Sequence, residues 1–411
     1  MTGTPTVVPE DELKAVHQKL LAYCQANDWA GYDPYDALNS RVFTALPFLS
    51  SRLPRLVLTQ ALKRSPINIR GLMLVPKTQN PKAIALFLLA FLKLSRCGAP
   101  NQEHYAGLMI ERLVDLRSPG VSHWCWGYSF PWQTRTIVVP SGAPNLVCTS
   151  FVAGALLDAY EQYRDRRCLD MAAGAAEYML DELYWTDGNS VASFSYPLPS
   201  LGTLVHNANF LAAAVLIRAY KHTGEERFLA PALKVARYSA SKQHSDGSWD
   251  YGEAPSQRWI DNFHTGYNLC ALRQIDRYLQ TDEFASRVRA GFEFYRAHFF
   301  LPDGAVRYFH NRTYPIDIHC IAQSILTLLA LGHLAPDNIQ LARRVFRWAM
   351  NHMWDERGFF YYRVLRLATI RTSYMRWSQA WMLFAVCSLL PETDSEATPS
   401  PKNASAVSFD R

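Results

Sequence analysis

The 411-residue sequence predicts an all-α (α/α)6 toroid: six helical hairpins in a ring, with long loops and short strands collected at one end. An internal period is the first sign. Tyr163, Tyr220 and Tyr278 open similar turn segments 57 and 58 residues apart, and Asp187-Gly188, Asp246-Gly247 and Asp303-Gly304 follow at steps of 59 and 57, with Glu356-Arg-Gly358 extending the series. The second sign is an alternation of two helix types. Residues 206–221 are apolar around most of the circumference, as in a helix buried on all sides, whereas 225–242 keep Phe228, Leu229, Leu233, Ala236 and Tyr238 at mostly helical intervals with charges between them. The third is loop asymmetry. Inner-to-outer turns are short, while outer-to-inner connections run about twenty residues, a length that in compact domains usually serves function.

Along the chain, residues 10–27 form an amphipathic helix placed to become the sixth outer helix by packing back on the last inner one. Inner helices are expected from near 82, 145, 206, 264, 318 and 374, and outer helices from near 101, 166, 225, 284 and 337. Residues 1–80 are expected to be an N-terminal helix and irregular basic segment resting on the toroid, 81–390 the toroid itself, and 391–411, polar and Pro/Ser-rich, a disordered tail. The segment 30–80 departs from the repeat and carries Arg52, Arg55, Lys63, Arg64 and Arg70 among leucines. Residues 52–70 are thus the candidate for a peripheral membrane or synthesis-complex contact, set against the plainer reading of a solvated amphipathic helix.

Composition narrows the function classes. With 49% hydrophobic and 19% charged residues the chain buries a large core. A net charge of +6 without a long Lys/Arg run argues against nucleic acid as a partner. The longest apolar run, 83–92, is half of the ~20 residues that cross a bilayer. The first ten residues lack the pattern of a signal peptide, and eight scattered cysteines without a C-x-x-C pair suggest reduced thiols. A cytoplasmic location is expected, with the inner face of the membrane as its variant. Neither a P-loop nor G-x-G-x-x-G is present, so no cofactor is expected; without H-E-x-x-H or Cys-rich spacing, no metal is expected either.

Chemistry-bearing residues concentrate in the long loops and the first turns of the inner helices. Glu253, Asp261 and Asp317 are candidate acids and bases, and His264, His319, Tyr267 and Tyr314 candidate proton carriers. Carboxylates at a helix start sit where unpaired N–H groups favour charge, so Asp261 and Asp317 suit a base; Glu253, between Tyr251 and Trp259, suits a general acid. Aromatic faces stack on sugar C–H surfaces and polar groups bind hydroxyls or carboxylates. The binding set is therefore Trp126, Tyr128, Trp132, Gln133, His206, Asn207, Trp249, Tyr251, Arg258, Trp259, His310, Arg312, Gln323 and Trp377. The plainer readings are N-caps for the two aspartates, core histidines, and tyrosines that only close the barrel. Against them stands joint placement: Asp261 and Asp317 are 56 residues apart, and His264 and His319 are 55 apart.

The run Trp249-Asp-Tyr-Gly-Glu253 through Arg258-Trp-Ile-Asp-Asn-Phe-His-Thr-Gly-Tyr267, with Tyr314-Pro-Ile-Asp-Ile-His319, resembles bacterial α/α-toroid proteins associated with capsule and exopolysaccharide synthesis, related in fold to six-hairpin glycosidases. The resemblance implies a toroid and an oligo- or polysaccharide substrate. Gln243-His-Ser-Asp-Gly-Ser-Trp249 is similar to the Q-x-x-x-G-x-W repeat of terpene cyclases, but without their Asp-x-Asp-Asp acid it reads as a structural turn. Three functions follow. The leading one is a glycoside hydrolase with Glu253 as acid and Asp261 or Asp317 as partner. The second is C5 proton abstraction from a uronic acid, lyase or epimerase, by Tyr and His with Arg258 or Arg312 neutralising the carboxylate. The third is a non-catalytic glycan-binding component of a synthesis complex.

Overall fold

The computed structural model describes residues 9–46, 51–134 and 137–391; the segment read as a disordered tail lies outside the described residues from 392 onward. The chain opens with α1 (Glu10–Ala26), a one-turn α2 (Arg41–Thr44) and α3 (Arg52–Arg64). Inner and outer helices then alternate. They are α4 (Pro81–Arg96), α5 (Gln102–Asp115), α6 (Leu146–Tyr163), α7 (Arg166–Tyr178), α8 (His206–Thr223), α9 (Leu229–Ser241), α10 (Asn262–Leu279), α11 (Ala285–Phe299), α12 (Ile318–Ala330) and α13 (Asn338–Met353). The last inner helix, α14 (Trp381–Leu389), is entered through a π-helical stretch, Met375–Ala380.

Packing closes the ring: α4, α6, α8, α10, α12 and α14 touch in that order, and α14 returns to α4. Helices α5, α7, α9, α11 and α13 back the inner helices that precede them, and α1 backs α14. The expected (α/α)6 toroid is the observed fold. Apart from α10, its inner helices are more apolar than the outer ones, and the burial of residues such as Ile84, Phe87, Leu156, Leu216 and Leu328 contributes roughly 1.5–3 kcal/mol per side chain.

The repeated glycine has a packing cause. Gly247 and Gly358 hold φ of 91° and 94°, which favours glycine, and a Cβ there would strike the backbone carbonyls of Ala290 on α11 and Lys19 on α1. The last three turns of the series are therefore pressed against the next outer helix around the ring, Gly304 against Arg344 on α13 and Gly358 against α1 just as Gly247 meets α11, while Gly188 has open space beside it.

The two ends of the ring differ. At the C-terminal ends of inner helices, Glu161 accepts hydrogen bonds from Arg218, His222 and Tyr278, a half-buried network joining α6, α8 and α10. At the N-terminal ends, Asn80, Asn145, Asp261 and Asp317 cap α4, α6, α10 and α12 through their side chains. Among the described residues the long loops at this end carry nine short strands: β1 (Trp132–Gln133), β2 (Val138–Val139), β3 (Tyr184–Thr186), β4 (Ala192–Phe194), β5 (Ile316–Asp317), β6 (Trp354–Asp355), β7 (Phe359–Phe360), β8 (Arg363–Val364) and β9 (Thr369–Ile370). They pair antiparallel as β1-β2, β3-β4, β5-β8-β9 and β6-β7.

Residues 30–46 and 51–80 form a cap on this end. Its small core is Ala37, Leu62 and Val75, and the buried Arg70 donates to Asp36 at 2.8 Å. The cap is tied to the ring by Asp33, which accepts two hydrogen bonds from Arg376 at 2.7 and 2.8 Å.

Candidate functional site

The capped helix starts and the loops above them enclose a cavity of about 660 Å³, within the ~300–1,000 Å³ range of ligand sites. A comparably large groove of about 640 Å³ runs along the outer helix α9, but Lys234, Arg237 and Lys242 line it without histidines. The axial cavity holds the convergent chemistry.

Asp261, His264, Tyr267 and His319 all reach its wall. Asp261 caps α10 by accepting from the His264 backbone N–H at 3.0 Å, and its Oδ2 also accepts from the Trp259 indole at 3.1 Å. The same oxygen lies 2.7 Å from His264 Nδ1, because residues three apart share a helix face. Because the Asp261 carboxylate accepts, the imidazole proton sits on Nδ1 and donates to it, which leaves the lone pair of Nε2 as the acceptor. Deeper, His319 is sandwiched between Phe263 and Trp381, each ring 4.5 Å away, and its Nε2 lies 2.6 Å from the Tyr267 hydroxyl. Burial, with Lys82 and Arg376 nearby, pushes the His319 imidazole well below its ordinary value. Burial likewise raises the Tyr267 phenol well above 10, so it stays protonated. Among the described residues His319 Nδ1 has no hydrogen-bond partner.

Aromatic platforms surround these groups. Tyr251 and Trp259 stack at 4.6 Å with an 11° interplanar angle, and Trp132, Tyr128, Trp377 and Tyr308 complete the wall. Asn207 and Arg312 also reach it. The π-helical stretch delivers Arg376 and Trp377, a distortion that recurs at functional sites.

Asp317 corrects the expectation of a base. It is fully buried behind the wall, where Oδ1 accepts from the His319 backbone N–H and the Trp377 indole while Oδ2 binds Arg363. With both oxygens committed it holds Arg363 and Trp377 in place. Glu253 lies outside the cavity, its carboxylate 2.6 Å from the Tyr238 hydroxyl and 3.8 Å from Lys242. Tyr314 is 41% exposed and leaves the wall to Pro315.

Several binding candidates are structural in the same sense. Trp126 is fully buried and donates to the Leu113 carbonyl, and Trp249 donates to that of Ser239. Gln133 ties its hairpin to Arg55, while Gln323 turns to Thr327. His206 faces Ser239, 3.3 Å from its hydroxyl, and burial lowers its pKa to about 4. His310 lies 3.3 Å from the Ile260 carbonyl, and Arg258 is exposed away from the wall.

Lining residues outside the predicted set include Tyr35, Lys63, Arg64, Lys82, Tyr196, Phe263, Arg363 and Arg376. Lys82 stands out. It is 3% exposed, its amine is 3.8 Å from the Phe151 ring centre, and burial with Arg376 nearby drives its pKa well below the ordinary lysine value. Among the described residues no carboxylate pairs with it. Its one sequence signal was a lysine in the first turn of an inner helix, directly before the apolar run 83–92. Nor do the described residues hold a cluster of three or more His, Cys, Asp or Glu fit for a metal ion.

No protein-family model and no curated protein matches the sequence. Solved structures do. A cellobiose 2-epimerase from Spirochaeta thermophila superposes with a TM-score of 0.57 at 17% identity, over 78% of this chain and 87% of its own. A D-mannose isomerase gives 0.60 at 12% identity over 96% and 100%, and a family 88 glycosyl hydrolase from Bacteroides vulgatus 0.59 at 10% over 93% and 99%. At these identities the likeness is one of fold.

Proposed function

We propose that the chain is a carbohydrate-active enzyme that moves a proton at the carbon beside the carboxylate of an anionic saccharide, with His264 as base and Tyr267 as acid. The observation that carries this reading is the make-up of the cavity wall: Lys63, Arg64, Lys82, Arg312, Arg363 and Arg376 face one carboxylate, Asp261. Asp33 and Asp317 neutralise Arg376 and Arg363 from behind, which leaves Lys63, Arg64 and Arg312 to receive substrate charge, with the buried Lys82 amine beside them as a hydrogen-bonding group. Inner-helix N-termini add positive potential at the same end. Hydrolysis in the usual mode needs two carboxylates flanking the bond, and Asp261 is alone and engaged with His264 and Trp259. The geometry therefore favours the second enzyme reading over the first. The saccharide class draws support from the epimerase, isomerase and hydrolase that share the fold.

In this reading the sugar stacks on Tyr251 and Trp259 while a cation neutralises its carboxylate. His264 Nε2 takes the C5 proton, and the electron pair moves into the carboxylate, where the cations stabilise the added charge. Tyr267, oriented by His319, then gives its proton either to C5 from the other face, which is epimerisation, or to the departing O4 as the C4–O4 bond breaks, which is elimination. Resemblance to capsule- and exopolysaccharide-associated toroids supports a bacterial polysaccharide as the source of the uronate.

The test is incubation with uronate oligosaccharides in deuterated water. The expected result is deuterium at C5 or the ultraviolet absorbance of an unsaturated uronate. Reducing ends without either signal would restore hydrolysis, and tight binding without turnover would restore a scaffold.

A further inference from the structure

Of the large apolar side chains that are exposed among the described residues, seven of nine lie in the cap: Leu46, Leu53, Val57, Ile67, Ile69, Leu72 and Leu74. The other two, Tyr314 and Leu367, lie in the loops that bring Pro315 and Arg363 to the cavity wall. Apolar surface is thus confined to the rim of one end. Helix α3 makes the arrangement plain. Leu53, Val57 and Ala61, spaced four apart, form a stripe that points outward, while Thr59 and Leu62 point inward. Leu53, Val57 and Leu72 are 71%, 59% and 79% exposed, where a helix resting on a core would bury such a stripe.

Charge on the same surface has one sign. Between Ala37 and Asn80 there are seven Lys and Arg residues and no Asp or Glu, Arg70 alone among the seven being buried, against Asp36; the next acid is Glu103. Arg41, Arg52, Arg64 and Lys77 are exposed there, and Lys63 and Arg64 also line the cavity. Whatever covers this rim must be apolar and anionic at once, and must be broad and flat enough to meet a helix and several loop tips together. The interface of a bilayer containing anionic lipid has that chemistry. No helix among the described residues is long and apolar enough to cross a membrane, so the contact lies on the surface.

We propose that the cap and rim dock on an anionic lipid bilayer, so that the cavity mouth opens toward the headgroups. Apolar tips enter the headgroup region while the cations pair with lipid phosphates. The saccharide would then enter from the membrane side, a consequence that rests on the saccharide reading; the docking itself does not.

The test uses the full chain in co-sedimentation with vesicles of phosphatidylcholine alone and of phosphatidylcholine with 30 mol% phosphatidylglycerol. Binding is expected to the anionic vesicles only, falling at least tenfold in apparent affinity between 0.1 and 0.5 M salt. The triple variant Leu53→Ser, Val57→Ser, Leu72→Ser changes exposed side chains, so it should fold, and it should bind at least tenfold more weakly. Equal binding of variant and parent, or no binding to anionic vesicles, overturns the proposal. So does a stable dimer in light scattering that the triple variant abolishes, since a second copy then covers the rim. Turnover of soluble uronates without vesicles reads the catalytic proposal separately.

Discussion

Asp261 with His264 and Asp317 with His319 start neighbouring inner helices at nearly the same point of the repeat, and the sequence gives little reason to rank them. Structure separates them by one residue of spacing. His264 follows its cap by three positions, which returns its ring to the face of Asp261, where Oδ2 meets Nδ1. His319 follows by two, about 100° further round the helix, so it turns away from Asp317 toward Tyr267. Asp317 is left to Arg363 and Trp377. A repeat preserves backbone position, and a one-residue difference decides whether an acid assists its histidine or braces the wall.

The largest effect expected from this contrast is on His264. His264→Gln should lower kcat by about 10²- to 10⁴-fold with KM nearly unchanged, as loss of a general base does. A loss confined to KM would make His264 a binding group and erase the distinction. Asp317→Asn should act on stability instead, leaving Arg363 without its buried counter-charge at a cost of about 3–5 kcal/mol in denaturant unfolding. A variant of unchanged stability with kcat lost would return Asp317 to the chemistry.

His206, at the start of the preceding inner helix, extends the comparison to a third unit. Burial holds its folded-state pKa at about 4, with Glu253, Lys242 and His244 contributing smaller effects. As pH falls from 6.5 to 4 the unfolded chain takes the proton first, so stability is lost by about 1.4 kcal/mol per pH unit from this group. His206→Gln should therefore flatten the acid limb of stability against pH, by about 3 kcal/mol in all, as measured by urea midpoints across that window. An unchanged slope would mean that this histidine titrates alike in both states. The smallest effect belongs to Glu253→Gln, expected to change turnover less than about twofold and stability within ~0.5 kcal/mol, because its carboxylate is at the surface beside Tyr238. A large loss of turnover there would put an acid back at the site and favour hydrolysis.

Legibility followed the range of the interaction. Gly247, Gly304 and Gly358 announce the period because each unit repeats a turn that needs positive φ, and from that period the six hairpins and the functional end follow. Asp261, His264, Tyr267 and His319 were readable because they sit in first turns of inner helices. Glu253 and Trp249 share their neighbourhood in sequence but not their direction. Lys82 was overshadowed by the apolar run that follows it, and Tyr35, Lys63 and Arg64 belong to a cap outside the repeat, which the Arg376–Asp33 pair ties to the ring.

By itself the sequence determined the things that local chemistry controls: helix type, caps, turns, their period and the one-signed charge of residues 37–80. Tertiary structure alone decided which side of each helix start faces the axis, which carboxylates are spent on arginines, and which cations stand around the mouth. Caps and turns fix a backbone through neighbours a few positions away. Side-chain direction instead depends on how closing the ring rotates each helix, and that involves residues more than 300 positions apart, such as Asp33 and Arg376.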